Sequence, residues 1–335
     1  MDGSILSAIG NTPLIRLSQV FKNESFRLYA KLELLNPAGS TKDRPAMLII
    51  KEGLETGRIG PQTIIIESSS GNMGIGLAQV CCYLNLRFIC VVDPKVTSQN
   101  IRLLKAYGAE IDFVSEPDPV TGEYLQARIN RVQSLLSSMD NSFWPNQYAN
   151  SNNSRSHHQT MREIAVALDG KIDSLFCATS TCGTLRGCAE YIRLHGLKTK
   201  VYAVDAVGSV IFGGENQKRL IPGHGAAVRP ELYQPGLVDK CIRISDLECV
   251  VGCRRLIRSE AVLAGGSSGA VLMAIEQVKN DLPADSNCVA ILPDRGERYL
   301  DTVYSDAWVM EHFGELPILS GEVDNQECAT VTSLF

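Results

Sequence analysis

Ile64-Ile65-Ile66-Glu67-Ser68-Ser69-Ser70-Gly71-Asn72-Met73-Gly74 holds a strand, a turn and the start of a helix within eleven residues. Three consecutive isoleucines read as a strand buried on both faces, and the residues from about Asn72 to Leu84 read as a helix. Between them lie three hydroxyls, a glycine and an asparagine. At the carboxyl end of a strand, such a turn offers N–H groups and side chains that can hold a carboxylate. Helix capping accounts for one or two of the serines but not for all of them. The spacing is not G-x-G-x-x-G, which excludes the dinucleotide fingerprint.

The same alternation extends outward. Phe88 to Val92 reads as a strand, Ser98 to Tyr107 as a helix closed by Gly108, and Ile111 to Val114 as a strand. Tyr124 to Met139 reads as a long helix with Leu125, Ile129, Val132, Leu135 and Leu136 on one face. After Gln147 the pattern restarts. A helix near Arg162 to Leu168 leads to a strand at Leu175 to Ala178, and a helix at Leu185 to His195 leads to a strand at Val201 to Asp205. Later come a strand at Ile242 to Ile244, helices at Leu247 to Arg258 and Ala270 to Leu282, and a strand at Val289 to Leu292. Solid apolar strands with helices between them imply mostly parallel sheets covered on both faces. A length of 335 residues exceeds what one hydrophobic core usually serves, so the fold class is α/β with two such sheets.

Composition narrows the partners. Apolar residues make up 44% and charged residues 21%, values typical of a soluble globular chain. A net charge of −5 gives no general attraction to phosphate backbones or anionic membranes, so neither nucleic acid nor membrane is expected. No apolar run approaches the roughly 18 residues of a membrane span. The start, Met1-Asp2-Gly3-Ser4-Ile5, lacks signal-peptide character, and a cytoplasmic location is expected. The eleven cysteines include Cys81, Cys82, Cys90, Cys177 and Cys288 in apolar segments, where a reduced thiol acts as a small hydrophobe. With no Cys-x-x-Cys pair and no histidine cluster, no metal site is expected. His157-His158 reads as a loop or a helix start.

Three further segments carry chemistry. Asn36-Pro37-Ala38-Gly39-Ser40-Thr41-Lys42-Asp43-Arg44 puts one lysine after a Gly-Ser-Thr turn, opening a helix through Met47-Leu48-Ile49-Ile50. Facing the positive end of a helix dipole lowers an amine's pKa and favours the neutral nucleophile. Taken alone, it also reads as a solvated surface lysine. Thr179-Ser180-Thr181-Cys182-Gly183-Thr184 follows a strand and opens a helix. Its small residues and hydroxyls suit a phosphate, with up to ~2 kcal/mol from the dipole in a favourable geometry. No Gly-Lys-Ser/Thr follows, so it is not a Walker loop. Ala264-Gly265-Gly266-Ser267-Ser268-Gly269 opens another helix. Together the four segments ask for a ligand with a phosphate, a carbonyl carbon that reacts with an amine, and a carboxylate nearby.

In order, content and spacing, these segments resemble those of the cysteine synthase and cystathionine β-synthase group of fold-type II pyridoxal-phosphate (PLP) enzymes. The resemblance runs from Gly10-Asn11-Thr12-Pro13-Leu14 to Leu292-Pro293-Asp294-Arg295-Gly296-Glu297-Arg298-Tyr299. It implies two three-layer α/β/α domains with mostly parallel sheets, as in the tryptophan synthase β fold. The large PLP-binding domain would comprise residues 1–36 and 150–312, and a smaller mobile substrate-binding domain residues 37–149. Residues 313–335 would form a flexible tail, and the chain would pair as a homodimer. The resemblance also implies that Lys42 forms the Schiff base with PLP and removes the substrate's α-proton. Asn72 would meet the PLP ring hydroxyl. Ser69, Ser70 and Gly71, with Gln147, would hold the substrate carboxylate. Ser180, Thr181, Cys182, Gly183 and Thr184 would cradle the cofactor phosphate, and Ser267 would meet the pyridine nitrogen. A serine there, unlike a carboxylate, leaves the ring a weaker electron sink and favours expulsion of a β-substituent over a long-lived carbanion. The implied activity is a PLP-dependent β-replacement.

Cysteine synthases usually have Gly-Thr-Gly-Gly-Thr in the phosphate loop, whereas Ser180 and Cys182 stand here at two of the glycine positions. The segments 144–150, 204–213 and 292–296 resemble one branch of the group. In that branch O-phospho-L-serine and L-glutamate are joined with loss of phosphate, a route to 2,3-diaminopropionate for siderophores and peptide antibiotics. Glutamate brings two carboxylates and phosphoserine a dianion, so the cleft needs extra donors. Arg128, Tyr148 and Ser180 are the candidates, followed by Arg219 and Arg229. Arg128 also reads as part of a solvated helix face. Gly223-His224-Gly225-Ala226 resembles the group's glycine loop over the cofactor, with no chemistry assigned to His224. Two other readings stay open: a cysteine synthase or phosphoserine sulfhydrylase using sulfide, and a silent scaffold. The intact Lys42, Asn72 and Ser267 speak against the scaffold.

Overall fold

The computed structural model describes residues 3–317. The chain opens with β1 (Leu14–Leu17), β2 (Arg27–Leu32) and α1 (Asp43–Glu55). There follow β3 (Ile64–Ser68), α2 (Asn72–Leu84), β4 (Phe88–Val92), α3 (Ser98–Ala106) and β5 (Glu110–Phe113). Next are α4 (Tyr124–Ser138) and the two-residue β6 (Ser142–Phe143). The second half supplies α5 (Ser151–Ala167), β7 (Ser174–Ala178), α6 (Gly183–Leu194) and β8 (Lys200–Ala206). It continues through β9 (Lys240–Ile244), α7 (Asp246–Glu260), α8 (Gly266–Val278), β10 (Asn287–Leu292) and α9 (Asp306–Phe313).

Two sheets result. The smaller has the order β5-β4-β3-β6 and is parallel throughout. The larger has the order β1-β2-β10-β7-β8-β9, parallel except where β1 runs against β2. Successive strand residues point to opposite faces, which explains the isoleucine run. Ile65 joins the core beneath α1, α2 and α3 with Ile49, Leu77 and Leu104. Its neighbour Ile66 faces the other way, onto Val132 and Leu135 of α4. The larger sheet is covered in the same manner. Phe176, Val204 and Ala290 face the core under α7 and α8, while Leu175, Cys177 and Ala203 face α5 and α6. The fold is therefore the α/β arrangement of mostly parallel, doubly covered sheets that the alternation of elements implies.

The first turn of the chain places Leu6 and Ile9 in the core of the smaller sheet. Helix α1 packs against both α2 and α5, so the helix that Lys42 opens touches the elements around both sheets. Some elements differ from expectation. Helix α5 begins at Ser151, eleven residues before the expected start. Its buried face is polar, with Asn152, Asn153, Ser154, Ser156, His157 and Thr160, so hydrophobic spacing does not mark it. His157 and His158 accordingly lie within a helix, and His157 is fully buried. Strands β1 and β2 escape the apolar pattern because Arg16, Arg27 and Lys31 interrupt it, and β6 is too short to carry one. Cys82 is exposed on α2 rather than part of the core. Phe313 ends α9 and packs edge-on against Trp308; from residue 318 onward the expected tail lies outside the described residues. No helix among the described residues is long and apolar enough to cross a membrane.

Candidate active site

In parallel sheets the carboxyl ends of the strands and the N-termini of the following helices converge, and ligands collect there. The first three polar segments follow β2, β3 and β7. The fourth follows α7 instead, and reaches the same edge because the Gly265 N–H donates to the carbonyl of Asp294, just beyond β10 (3.0 Å). The Lys42 segment is held to this edge by the Thr41 N–H, which donates to Pro293 O (2.7 Å). Lys42 is the N-cap residue of α1. Part of the residue is accessible, yet burial around the amine pushes its pKa below the usual lysine value, opposed by Cys177, Asp294 and Cys182. The amine therefore sits among the ends of β7 and β10 and the start of α6. It is biased toward the neutral, nucleophilic form.

Helix α5 and the 144–148 segment brace the start of α6. Cys182 caps it in the left-handed region (φ +65°), a conformation that non-glycine residues seldom adopt. Gly183 follows, and a Cβ there would lie 2.1 Å from Asn153 Oδ1, so α5 and α6 approach too closely for any side chain. Asn153 Nδ2 donates to Gln147 O (2.7 Å) and to Thr181 Oγ1 (3.2 Å), tying the 179–184 segment to the 144–148 segment. Thr184 Oγ1 bonds His157 Nε2 (3.2 Å), whose Nδ1 meets Thr160 Oγ1 (3.1 Å). Burial, then the nearby Lys42 and Arg44, hold that imidazole well below its ordinary pKa, so it is neutral. Ser267 is buried in the first turn of α8.

At the smaller sheet, Ser69 Oγ accepts from the Gly74 N–H (3.0 Å), curling the serine turn over the start of α2. Arg128 is not a solvated helix residue. It is buried on α4, its Nη1 donates to Ser70 Oγ (3.2 Å), and its Nε lies 3.0 Å from Asp93 Oδ2. That last contact is an ion pair without hydrogen-bond alignment. The Tyr148 phenol lies beside Arg128, its pKa raised by burial. Thus Arg128, Tyr148, Ser70 and Gln147 are brought together. Arg219 instead bonds the carbonyl of Gly208. Arg229 is exposed, bonded to Ile211 O and stacked on Tyr233.

Sequence reasoning missed Glu67, the carboxylate beneath the serine turn. It accepts from Ser68 N (2.8 Å), Trp144 Nε1 (3.2 Å) and Gln147 N (3.2 Å), joining the two segments that flank Arg128. Its place at the polar end of an apolar strand was the available signal. Burial raises its pKa to about 7, against the lowering influence of Trp144, Ser68, Gln147 and Arg128. Between roughly pH 4.5 and 7 the folded chain thus keeps a proton that the unfolded chain has released. Stability contributed by this group falls as pH rises through that window. The expected contribution is on the order of 3 kcal/mol. Denaturation at pH 5 and pH 8 should show a smaller difference for Glu67→Gln than for the parent. An unchanged slope would assign the pH dependence to other groups, such as Asp43, which burial also raises to about 7.

The residues fit PLP. Thr41, Ser68, Asn153, Asp205, His224 and Ser268 each carry a buried polar atom without a protein partner, and such atoms are costly unless a ligand satisfies them. They lie on or beside the segments that converge around Lys42. The donor set is an amine whose pKa burial lowers, hydroxyls and helix N-terminal N–H groups, as an aldehyde bearing a phosphate requires. No group of His, Cys, Asp and Glu among the described residues could hold a metal ion.

A family model described as "Pyridoxal-phosphate dependent enzyme" matches residues 5–294. N-(2-amino-2-carboxyethyl)-L-glutamate synthase of Cupriavidus metallidurans is 48% identical over 310 residues, 91% of each chain. The protein of the same name from Ralstonia nicotianae is 48% identical over 307 residues, 91% of this chain and 90% of that one. Among solved structures, an O-acetylserine-dependent cystathionine β-synthase from Helicobacter pylori superposes with a TM-score of 0.84 at 31% identity, covering 91% of this chain and 99% of that one. O-ureido-L-serine synthase gives 0.84 at 28% identity, over 92% and 99%.

Proposed function

The chain belongs to the pyridoxal-phosphate-dependent enzymes, and on that footing we propose that it joins O-phospho-L-serine to L-glutamate. The C–O bond at the serine β-carbon breaks and phosphate leaves. A C–N bond to the glutamate amine forms as that amine loses a proton. The products are N-(2-amino-2-carboxyethyl)-L-glutamate and phosphate, a step toward 2,3-diaminopropionate for siderophore or peptide-antibiotic synthesis. The observation that carries this reading is the buried Arg128 held against Ser70, with Tyr148 alongside. Arg128 engages Asp93, Ser70 and Tyr148. It thereby holds hydroxyl donors and brings positive charge beside the serine turn, where a second carboxylate would be received and which sulfide as nucleophile would not need. The names of the relatives at 48% identity support the same reading.

The roles proposed for these residues rest on the family resemblance, with the convergence of their segments around Lys42 in support. Lys42 binds the cofactor's aldehyde carbon and carries the substrate's α-proton away and back. Thr181, Cys182, Gly183 and Thr184, with Ser180, hold the cofactor phosphate at the start of α6, where the helix dipole favours an anion. Ser267 meets the ring nitrogen and Asn72 the ring hydroxyl. Ser69, Ser70, Gly71 and Gln147 receive the substrate α-carboxylate. When bound, PLP supplies the electron sink that makes α-proton loss possible. The 37–149 segment would move against the remainder as substrate enters. Family resemblance further supports a cytoplasmic homodimer.

The test is partner choice. Purified holoenzyme given phosphoserine should release phosphate and form the glutamate adduct, seen by mass spectrometry. Cysteine formation with sulfide, together with no adduct from glutamate, would sink the proposal in favour of a sulfhydrylase.

A further inference from the structure

Asp294 lies where three of the four polar segments meet. Ser40 forms a bridge with it, the Gly265 N–H donates to its carbonyl, and Asn72 Nδ2 donates to its Oδ2 (2.8 Å). The same Oδ2 accepts from the Tyr299 hydroxyl (2.6 Å). Its other oxygen, Oδ1, is buried without a hydrogen-bond partner. That oxygen lies 2.1 Å from where a Cβ on Gly265 would stand, so only glycine allows the carboxylate this position. The Asn72 amide is gripped at both ends, because its Oδ1 accepts from Arg298 Nη1.

An amide has one acceptor oxygen and two N–H donors, and it is free to turn over unless its neighbours distinguish the ends. Here a guanidinium can only donate, which fixes the oxygen end, and Asp294 Oδ2, which also receives the Tyr299 hydroxyl, accepts at the other. Together they leave a single orientation, in which one N–H of Asn72 is consumed by Asp294 and the other remains available.

We infer that Asp294 is a positioning residue that orients the Asn72 amide, so that its remaining N–H faces the PLP ring oxygen. Asp294 acts through Asn72 and touches no reacting atom. This rests on the assignment of Asn72 to the ring hydroxyl, and the experiment separates the two.

PLP is removed from the holoenzyme and titrated back, following affinity and the visible spectrum of the bound cofactor. Asn72→Ala, Asp294→Asn and the double variant are compared with the parent. A charge-assisted hydrogen bond of this kind corresponds to roughly a tenfold to hundredfold change in affinity. Asp294→Asn should weaken PLP by about that factor and alter the balance of its absorption bands. In the Asn72→Ala background the same change should add little. Circular dichroism and thermal melting of each cofactor-free variant should match the parent, which controls for packing damage. If Asn72→Ala leaves affinity and spectrum intact, the assignment of Asn72 itself fails. If Asn72→Ala weakens PLP but Asp294→Asn does not, or if the two effects simply multiply, the positioning role of Asp294 is overturned while Asn72 keeps its own.

Discussion

Lys42→Ala is expected to lower turnover of amino-acid substrates by at least about 10³-fold, because general base catalysis and covalent attachment are lost together. The parent protein, reduced with borohydride in the presence of PLP, should carry the cofactor covalently on the peptide containing residue 42. The variant should carry none there. The effect is large because the neighbours of Lys42 supply no substitute. Cys177 and Cys182 interact with it electrostatically, but burial raises both thiols to about 12. Asp294, whose pKa burial also raises, is engaged by Tyr299 and Asn72. An alanine variant that kept parental turnover would remove the basis for every role given to the surrounding segments.

The second large effect concerns stability. Two residues beyond Lys42, Arg44 spans the buried carboxylate of Glu33 and the partly buried one of Glu163. Its Nε and Nη2 donate to Glu33 (both 2.7 Å), and its Nη1 and Nη2 donate to Glu163 (2.8 and 2.7 Å). Lys31 Nζ also donates to Glu163 and to Thr12 O (both 2.6 Å). The cluster ties β2, the start of α1 and α5 together. For Glu163 burial works to raise the pKa, and the bonds from Arg44 and Lys31 outweigh it, holding the carboxyl at about 2. Arg44→Ala leaves Glu33 enclosed without its cation. The expected loss is ~3–5 kcal/mol, the range for breaking one side of a buried ion pair. In a thermal scan that corresponds to roughly 6–20 °C for a domain of this size. A shift below a few degrees would mean that the cluster relaxes or admits water and contributes little.

Much of this architecture is written in periodicity. Ile64 to Ile66 and Phe88 to Val92 mark strands because both faces of each sheet are covered, and the hydroxyl-rich turns mark the strand ends. What escapes has a common cause. The buried face of α5 is polar because it braces Thr181 and Thr184, so Asn153 and His157 stand where a core residue would otherwise signal a helix. Arg128 lies on a helix of mixed composition, and its burial depends on Asp93 and Ser70, which are remote in the chain. Glu67 lies near the end of an apolar strand and Asp294 just beyond one, and one sequence does not distinguish a buried carboxylate from a turn residue. The site's outer contacts follow from tertiary pairing rather than from local pattern.

One consequence of the crowding around Lys42 concerns chemical choice. If Lys42 has the role proposed, an incoming aldehyde would meet an amine and two thiols, and sulfur is intrinsically the better nucleophile. The same dry surroundings act on the two chemistries in opposite senses, since they penalise ammonium and thiolate alike. The amine is pushed toward its reactive form. With a pKa near 12, only about one thiol in 10⁵ is ionised at pH 7. A single physical influence thereby silences sulfur and frees nitrogen, and the chain can keep cysteines beside an electrophile without being trapped by it.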